Sequence, residues 1–383
     1  MYDLAAASSE ALVQVLEGNN RDRRMAAMAE LARRGRGGDL RGAQSLVDVL
    51  DRYAQDTEGE NGRPSMEAAT EMEYAVDSLE SIGPPIVDLL LATLLDQERS
   101  PFVRSGATNA LGNIGDPRAY DALVTILLDN GEEVSLRSMV AFYIGRLRDH
   151  RAVEPLLDIA ADVNQDRTIR RHAIYALGEL RDPESFDVLM SLLPDPEVHI
   201  AASTALADLR DWRAVDRLLP TLASDDDSWR FSVATIVGKV GESAVMPLLA
   251  LLTSPDWRER EGSANGLRFT TDQRAAGPLT RTLQEDADGR VRRAAASSLG
   301  FLDDGSAAYT LVEALADADV QVRLASMSSL FHLALTGHAP TDIVSRVEWV
   351  ANHDTGTING HEVIKDVGQR TVRELRRALP DED

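Results

Sequence analysis

The chain has 383 residues, 44% of them hydrophobic but only 5% aromatic, with no cysteine and a formal net charge of −23 at pH 7. That apolar content supports a real core and argues against global disorder, and the lack of cysteine excludes disulfides, thiolate-bound zinc and thiol catalysis. The acidity counts against nucleic-acid binding, which needs a basic face.

Only Lys239 and Lys365 among the 40 basic residues are lysine. An Asp/Glu-rich, Lys-poor surface is the make-up of proteins from high-salt cytoplasm, where carboxylates hold water and salt screens their repulsion. The first residues, MYDLAAASSE, lack the basic and apolar regions of a secretory signal. No apolar run reaches the 18 residues of a spanning helix. A cytoplasmic protein without a membrane span is therefore expected.

In chain order, Asn20, Arg24 and Leu31 in NRDRRMAAMAEL set out a cap, a basic residue and an apolar residue that recur later. Asp56 to Pro64 (DTEGENGRP) reads as a polar surface loop. Met66 to Asp96 reads as a degenerate helical unit. From residue 97 the pattern is clear, and it is an internal repeat. Taking the Arg of V-R as position zero, the column is Arg104, Arg137, Arg170, His199, Arg230, Arg258, Arg292 and Arg323. Successive spacings are 33, 33, 29, 31, 28, 34 and 31.

Four residues before each stands Ser100, Glu133, Asp166, Asp195, Asp226, Ser254, Asp288 or Asp319. All but Glu133 are good N-caps, because their side-chain oxygens accept orphan N–H groups of the first turn. Pro101, Pro196 and Pro255 follow three of them, at a position where proline costs no hydrogen bond. Seven residues after position zero come Leu111, Ile144, Leu177, Leu206, Val237, Asn265, Leu299 and Leu330. Asn265 alone breaks this apolar column, and the nearby Leu267 points to a local slip. A second helix follows each first one, as in RAVEPLLDIA from Arg151 and RAAGPLTRTL from Arg274. Each unit is thus a pair of antiparallel helices that buries its apolar face only by stacking on neighbours. After Leu330 the pattern fades. Residues 333–361 read as irregular, followed by a final amphipathic helix near Glu362 to Leu379 that caps the open end.

The pattern D-x-x-V-R-x-x-A-x-x-A-L-G, followed by R-A-V-x-P-L-L, resembles the HEAT repeat in its short PBS-lyase HEAT-like (E-Z type) variety. The best copies are Asp166 to Asp182 (DRTIRRHAIYALGELRD) and Asp288 to Asp303 (DGRVRRAAASSLGFLD). The resemblance implies an all-α fold, an α-solenoid of about nine to ten stacked hairpins. It sets divergent repeats in 1–96, regular repeats in 97–333 and an irregular segment with a capping helix in 334–383. With the composition, it points to a halophilic archaeal source. It also implies a non-catalytic scaffold or adaptor for a protein partner, in a signalling or taxis assembly. The alternative it carries is a PBS-lyase-like or deoxyhypusine-hydroxylase-like enzyme or enzyme subunit.

In HEAT-type solenoids the V-R helix lines the concave surface. Positions plus one, plus five and plus nine then face a partner, and the central copies depart from small polar residues there. They carry Phe142, Arg146, Arg171, Tyr175, Ile200 and Phe231. Exposed aromatics beside arginine have the composition of a protein–protein hot spot. The competing expectation is that packing between repeats buries them. The Arg column itself reads as structural, each guanidinium paired with a carboxylate in a neighbouring turn. Trp229 and Trp257 read as packing residues, and Trp212 lies in a turn. The late histidines His332, His338, His353 and His361 match no standard metal-ligand spacing, and the hydroxylases' repeated His-Glu pairs have one counterpart, His361-Glu362. No cofactor is expected.

Overall fold

An Asp side chain caps five first helices, as Asp166, Asp226, Asp256, Asp288 and Asp319. In the stretch from Asp288, its carboxylate accepts the N–H of Arg290 at 2.9 Å and Val291, Ala295 and Leu299 are all fully buried. The computed structural model describes residues 4–54, 66–302, 305–354 and 363–377. All regular structure among them is helical. The expected loop at 56–64, the pair His361-Glu362 and the last residues of the chain lie outside the described residues.

The chain divides into two compact units, 1–205 and 206–383. In the first, α1 (Ser9–Leu16) precedes five hairpins. These are α2 (Arg21–Arg36) with α3 (Ala43–Ala54), α4 (Met66–Ile82) with α5 (Val87–Leu95), α6 (Pro101–Ile114) with α7 (Tyr120–Leu128), α8 (Val134–Ile144) with α9 (Val153–Ala161), and α10 (Arg167–Leu180) with α11 (Phe186–Leu192). The division falls within α12 (His199–Leu209), which α13 (Arg213–Leu218) follows. The second unit continues with four hairpins. They are α14 (Asp227–Lys239) with α15 (Glu242–Leu251), α16 (Trp257–Thr270) with α17 (Ala276–Glu285), α18 (Gly289–Leu299) with α19 (Ala307–Glu313), and α20 (Val320–Leu335) with α21 (Val344–His353). The last helix is α22 (Val363–Arg377).

Each unit is an α-solenoid of stacked hairpins, with two layers. The first helices α2, α4, α6, α8 and α10 pack side by side, as do α14, α16, α18, α20 and α22. Second helices pack onto the first helix of the next hairpin, as α5 does on α6 and α17 on α18. The plus-seven column forms the seam: Leu111, Ile144 and Leu177 in one unit, Val237, Leu299 and Leu330 in the other, are fully buried.

One residue after that column the repeat carries glycine, as Gly112, Gly145, Gly178, Gly238 and Gly300. The reason is steric. A Cβ on Gly145 would stand 2.9 Å from the Cα of Ala176, and one on Gly300 would stand 2.5 Å from the side chain of Ser329. Gly300 is right-handed, φ −65°, so it serves close packing and not a left-handed helix end.

The structure corrects the repeat register in one copy. The cap of α16 is Asp256, accepting from Arg258 N–H at 2.9 Å, and Ser254 does not cap it. Position zero is therefore Arg260, and Leu267, fully buried, fills the plus-seven column in place of Asn265. Spacings of 28 and 34 become 30 and 32. The residue eleven after position zero agrees with this shift. Gly115, Arg148, Arg181, Arg210, Gly241 and Thr271 all have positive φ there.

The C-terminal boundary also differs from the sequence reading. Residues 344–353 are helical, not irregular, and α21 buries Val344, Val347 and Ala351. Their i, i+3, i+7 spacing is a helical stripe that lacks the repeat's cap and arginine. Helix α22 packs on α20 and α21 with Ile364, Gly368, Thr371, Val372 and Leu375 inward. The compact units divide at 205/206, while the repeats alone mark boundaries near 96 and 333.

Candidate functional site

The Arg column is consumed in stapling hairpins together. Arg104 Nε donates to the Leu94 carbonyl at 2.8 Å and its Nη2 to Glu132 at 2.6 Å. Arg170 joins the Ala160 carbonyl to Asp195, Arg230 joins Ser224 to Glu261, and Arg292 joins Asp286 to Asp317. Arg323 repeats the arrangement with Asp317 and Asp354, and Arg24 with Gly18 and Glu71. The hydrogen bond from Arg104 holds the Glu132 carboxyl below its ordinary pKa. Arg104, Arg137, Arg170 and Arg230 are buried, so they are closed to a ligand.

The open face of the first-helix layer carries what varies. In the first unit Phe142, Arg171 and Tyr175 are half-buried, while Arg146 and Ile200 are exposed. The Arg146 guanidinium lies 5.2 Å from the Phe142 ring centre and 5.0 Å from that of Tyr143, and it donates to Asn113. Phe142 also meets His172, ring centres 5.4 Å apart, and His172 Nδ1 is 2.9 Å from Ser138 Oγ. Burial raises the Tyr143 hydroxyl above its ordinary pKa. The structure thus brings Phe142 and Arg146 together around Tyr143. Phe231 belongs to the second unit, 49% exposed, with its ring 6.3 Å from Phe269.

In the second unit the corrected register places Lys239, Phe269, Phe301 and His332 in the plus-nine column. Phe301 stacks on His332 at 4.8 Å. The guanidinium of Arg268 lies 4.1 Å from the Phe301 ring centre and 5.1 Å from that of Phe269. Burial lowers the Arg268 pKa below the ordinary arginine value. Sequence reasoning missed this strip because counting from Arg258 puts Leu267 at plus nine. Asp256 with Leu267 was the signal that would have found it.

A family model described as HEAT repeats matches 69–135, 126–197, 191–268 and 245–330, more than half of the chain. The chain belongs to the HEAT-repeat family. No curated protein matches it. Similar solved structures include human deoxyhypusine hydroxylase in complex with glycerol, 22% identical over 67% of this chain and 96% of that one, TM-score 0.30. Another is the complex of CpcE and CpcF of phycocyanin lyase from a Nostoc species, 20% identical over 68% and 94%, TM-score 0.33. A third is yeast importin-beta (Kap95p), 13% identical over 98% of this chain and 57% of that one, TM-score 0.49.

The remaining candidates of this HEAT-repeat chain have other surroundings. His353 stacks on Trp349 at 4.7 Å with Nδ1 2.7 Å from the Trp349 carbonyl, and His338 Nδ1 is 3.0 Å from Thr336 Oγ1. Among the described residues no three His, Asp or Glu are grouped to hold a metal ion. Trp257 packs between hairpins, 3.3 Å beneath Arg290 and 4.9 Å from Arg230, whereas Trp212 is 62% exposed. Among the described residues no single helix is long and apolar enough to cross a membrane.

Proposed function

We propose that this HEAT-repeat chain is a non-catalytic scaffold or adaptor that holds a protein partner on the open face of its first helices. The observation that supports it is the group of Phe142, Tyr143 and Arg146 with exposed Ile200 on the first unit. Rings and a stacked guanidinium make contact area with little entropy left to lose, which is how hot spots work. Phe142, Arg146, Arg171, Tyr175 and Ile200 contribute on the first unit, and Phe231 on the second. The resemblance to the short HEAT-like repeat class points to a signalling or taxis assembly, and the acidic, lysine-poor composition fits a salt-rich cytoplasm.

The test is affinity capture at native salt, comparing parent, Tyr175→Ala and Phe231→Ala chains by quantitative mass spectrometry. A partner depleted severalfold in a variant whose helicity and melting are unchanged supports the reading. Equal recovery of every partner by both variants removes this face. Iron or a visible chromophore in the purified chain would favour an enzyme of the hydroxylase or lyase kind.

A further inference from the structure

Arg268 stands at a position that five copies fill with glycine, one with Ala207 and one with Phe331. Five other copies carry Gly112, Gly145, Gly178, Gly238 and Gly300 there, each against the next first helix. Nothing about stacking the hairpins calls for a guanidinium at this point. Its guanidinium carbon lies 4.1 Å from the Phe301 ring centre and 5.1 Å from that of Phe269, and the strip runs on to Phe231 and His332. Phe231 and Phe301 keep 49% and 43% of their surface in solvent.

Among the described residues Arg268 also has no counter-charge. The column arginines of α14, α16, α18 and α20 each have a carboxylate, as do Arg258, Arg290 and Arg293 beside them. Among the described residues Arg268 has no carboxylate and no hydrogen-bond partner, in a chain of net charge −23. With none of its N–H groups taken by a described residue, the planar fork of Arg268 can donate to two oxygens at once. A half-buried setting strengthens such a bond because less water competes.

We propose that Arg268, framed by Phe269 and Phe301, receives the side-chain carboxylate of an acidic peptide segment whose apolar neighbours lie along the Phe231 to His332 strip. A guanidinium among rings, unpaired among the described residues, selects this occupant. A polyanion such as nucleic acid is repelled by the acidic surface, whereas one carboxylate among apolar residues matches one guanidinium among rings. The site lies wholly in the second unit and does not depend on the first-unit face.

The experiment uses the full chain labelled with nitrogen-15 at arginine. The Nε–H signal of Arg268 is assigned by its loss in Arg268→Gly, which installs the residue the repeat uses elsewhere. The probes are acetyl-Phe-Glu-Leu-amide and acetyl-Phe-Gln-Leu-amide, with affinities from dye-labelled versions by anisotropy. The Glu peptide is expected to shift the Arg268 signal saturably, and the Gln peptide to bind at least about tenfold more weakly. Arg268→Gln is expected to lose a similar factor while melting like the parent, and Phe301→Leu to weaken binding without abolishing it. Equal affinity for the two peptides, or equal affinity of parent and Arg268→Gln, overturns the proposal. So does Glu-peptide binding seen only in Asp303→Asn/Asp304→Asn, since the chain's own carboxylates would then hold the site. Tyr175→Ala leaves this titration unchanged, so failure here is distinct from failure of the scaffold reading.

Discussion

The guanidinium of Arg260 donates to both carboxylate oxygens of Asp286, at 2.7 and 3.0 Å, and to the Ser254 carbonyl at 2.9 Å. This pairing raises the Arg260 pKa above the ordinary arginine value. Arg258, two residues earlier, turns outward to Asp256 and to Asp225, whose side chain is 91% exposed. Arg260→Ala strands a largely buried Asp286 and is expected to cost about 3 kcal/mol in chemical denaturation. Arg258→Ala breaks solvent-exposed pairs and is expected to cost about 0.5 kcal/mol or less. Equal costs would put Arg258 back in the column.

Gly238 sets a second expectation, and its sign is opposite to helix propensity. In an isolated helix, Gly to Ala gains up to about 1 kcal/mol. Here the carbonyl oxygen of Gly266 stands where the new Cβ would go, and that neighbour is backbone. Gly238→Ala is therefore expected to destabilise the second unit by about 2 kcal/mol, read from the shift of its denaturation midpoint.

Thr271 ends α16 in a left-handed conformation, φ 53°, at a place where Gly115 and Gly241 serve other copies. A β-branched residue meets its own carbonyl there, at a cost of about 1 kcal/mol. Thr271→Gly is expected to raise stability by about that amount, visible as a higher melting temperature. A lower one would mean that the threonine side chain contributes more than its strain costs.

Acid should loosen the fold in a defined window. The hydrogen bond from Arg274 holds Asp272 at about 2, below its ordinary 3.8. Asp116, Asp149, Asp211 and Asp288 are lowered in the same way, each by an arginine two positions on, and Asp256 is lowered first by the backbone N–H of Arg258. A carboxyl whose pKa is lower when folded adds stability above its unfolded pKa and loses it as pH falls through the folded value. The urea midpoint is expected to fall between about pH 4 and pH 2, and Asp272→Asn to flatten that slope. An unchanged slope would show that exposure screens the pair.

Much of this architecture can be read from local pattern. The Asp or Ser cap, the arginine four residues on and the apolar residue seven further on lie within one helix, so their order carries the signal whatever the neighbours do. That is why the eight copies could be aligned without a structure. The same reasoning overlooked α21, which keeps a helical apolar stripe in Val344, Val347 and Ala351 but none of the repeat's punctuation. It also placed Arg258 in the column, because Ser254-Pro255 and Asp256-Trp257 are equally good helix starts by composition.

The candidate site was legible only as a set of departures from the repeat. That Phe142 and Tyr175 are half-buried, and Phe231 open, depends on side chains about 30 residues away in sequence, across the stack. Arg268 shows the same division. Its place in L-G could be seen as an oddity in the chain, but its rings, Phe269 and Phe301, and its lack of a described carboxylate arise from the packing of α16 against α18. Helix formation, capping and the hairpin repeat rest on interactions between near neighbours, which order along the chain dictates. Register between hairpins, and the choice of which arginine is stapled and which stays open, rests on distances that exist only once the helices are stacked.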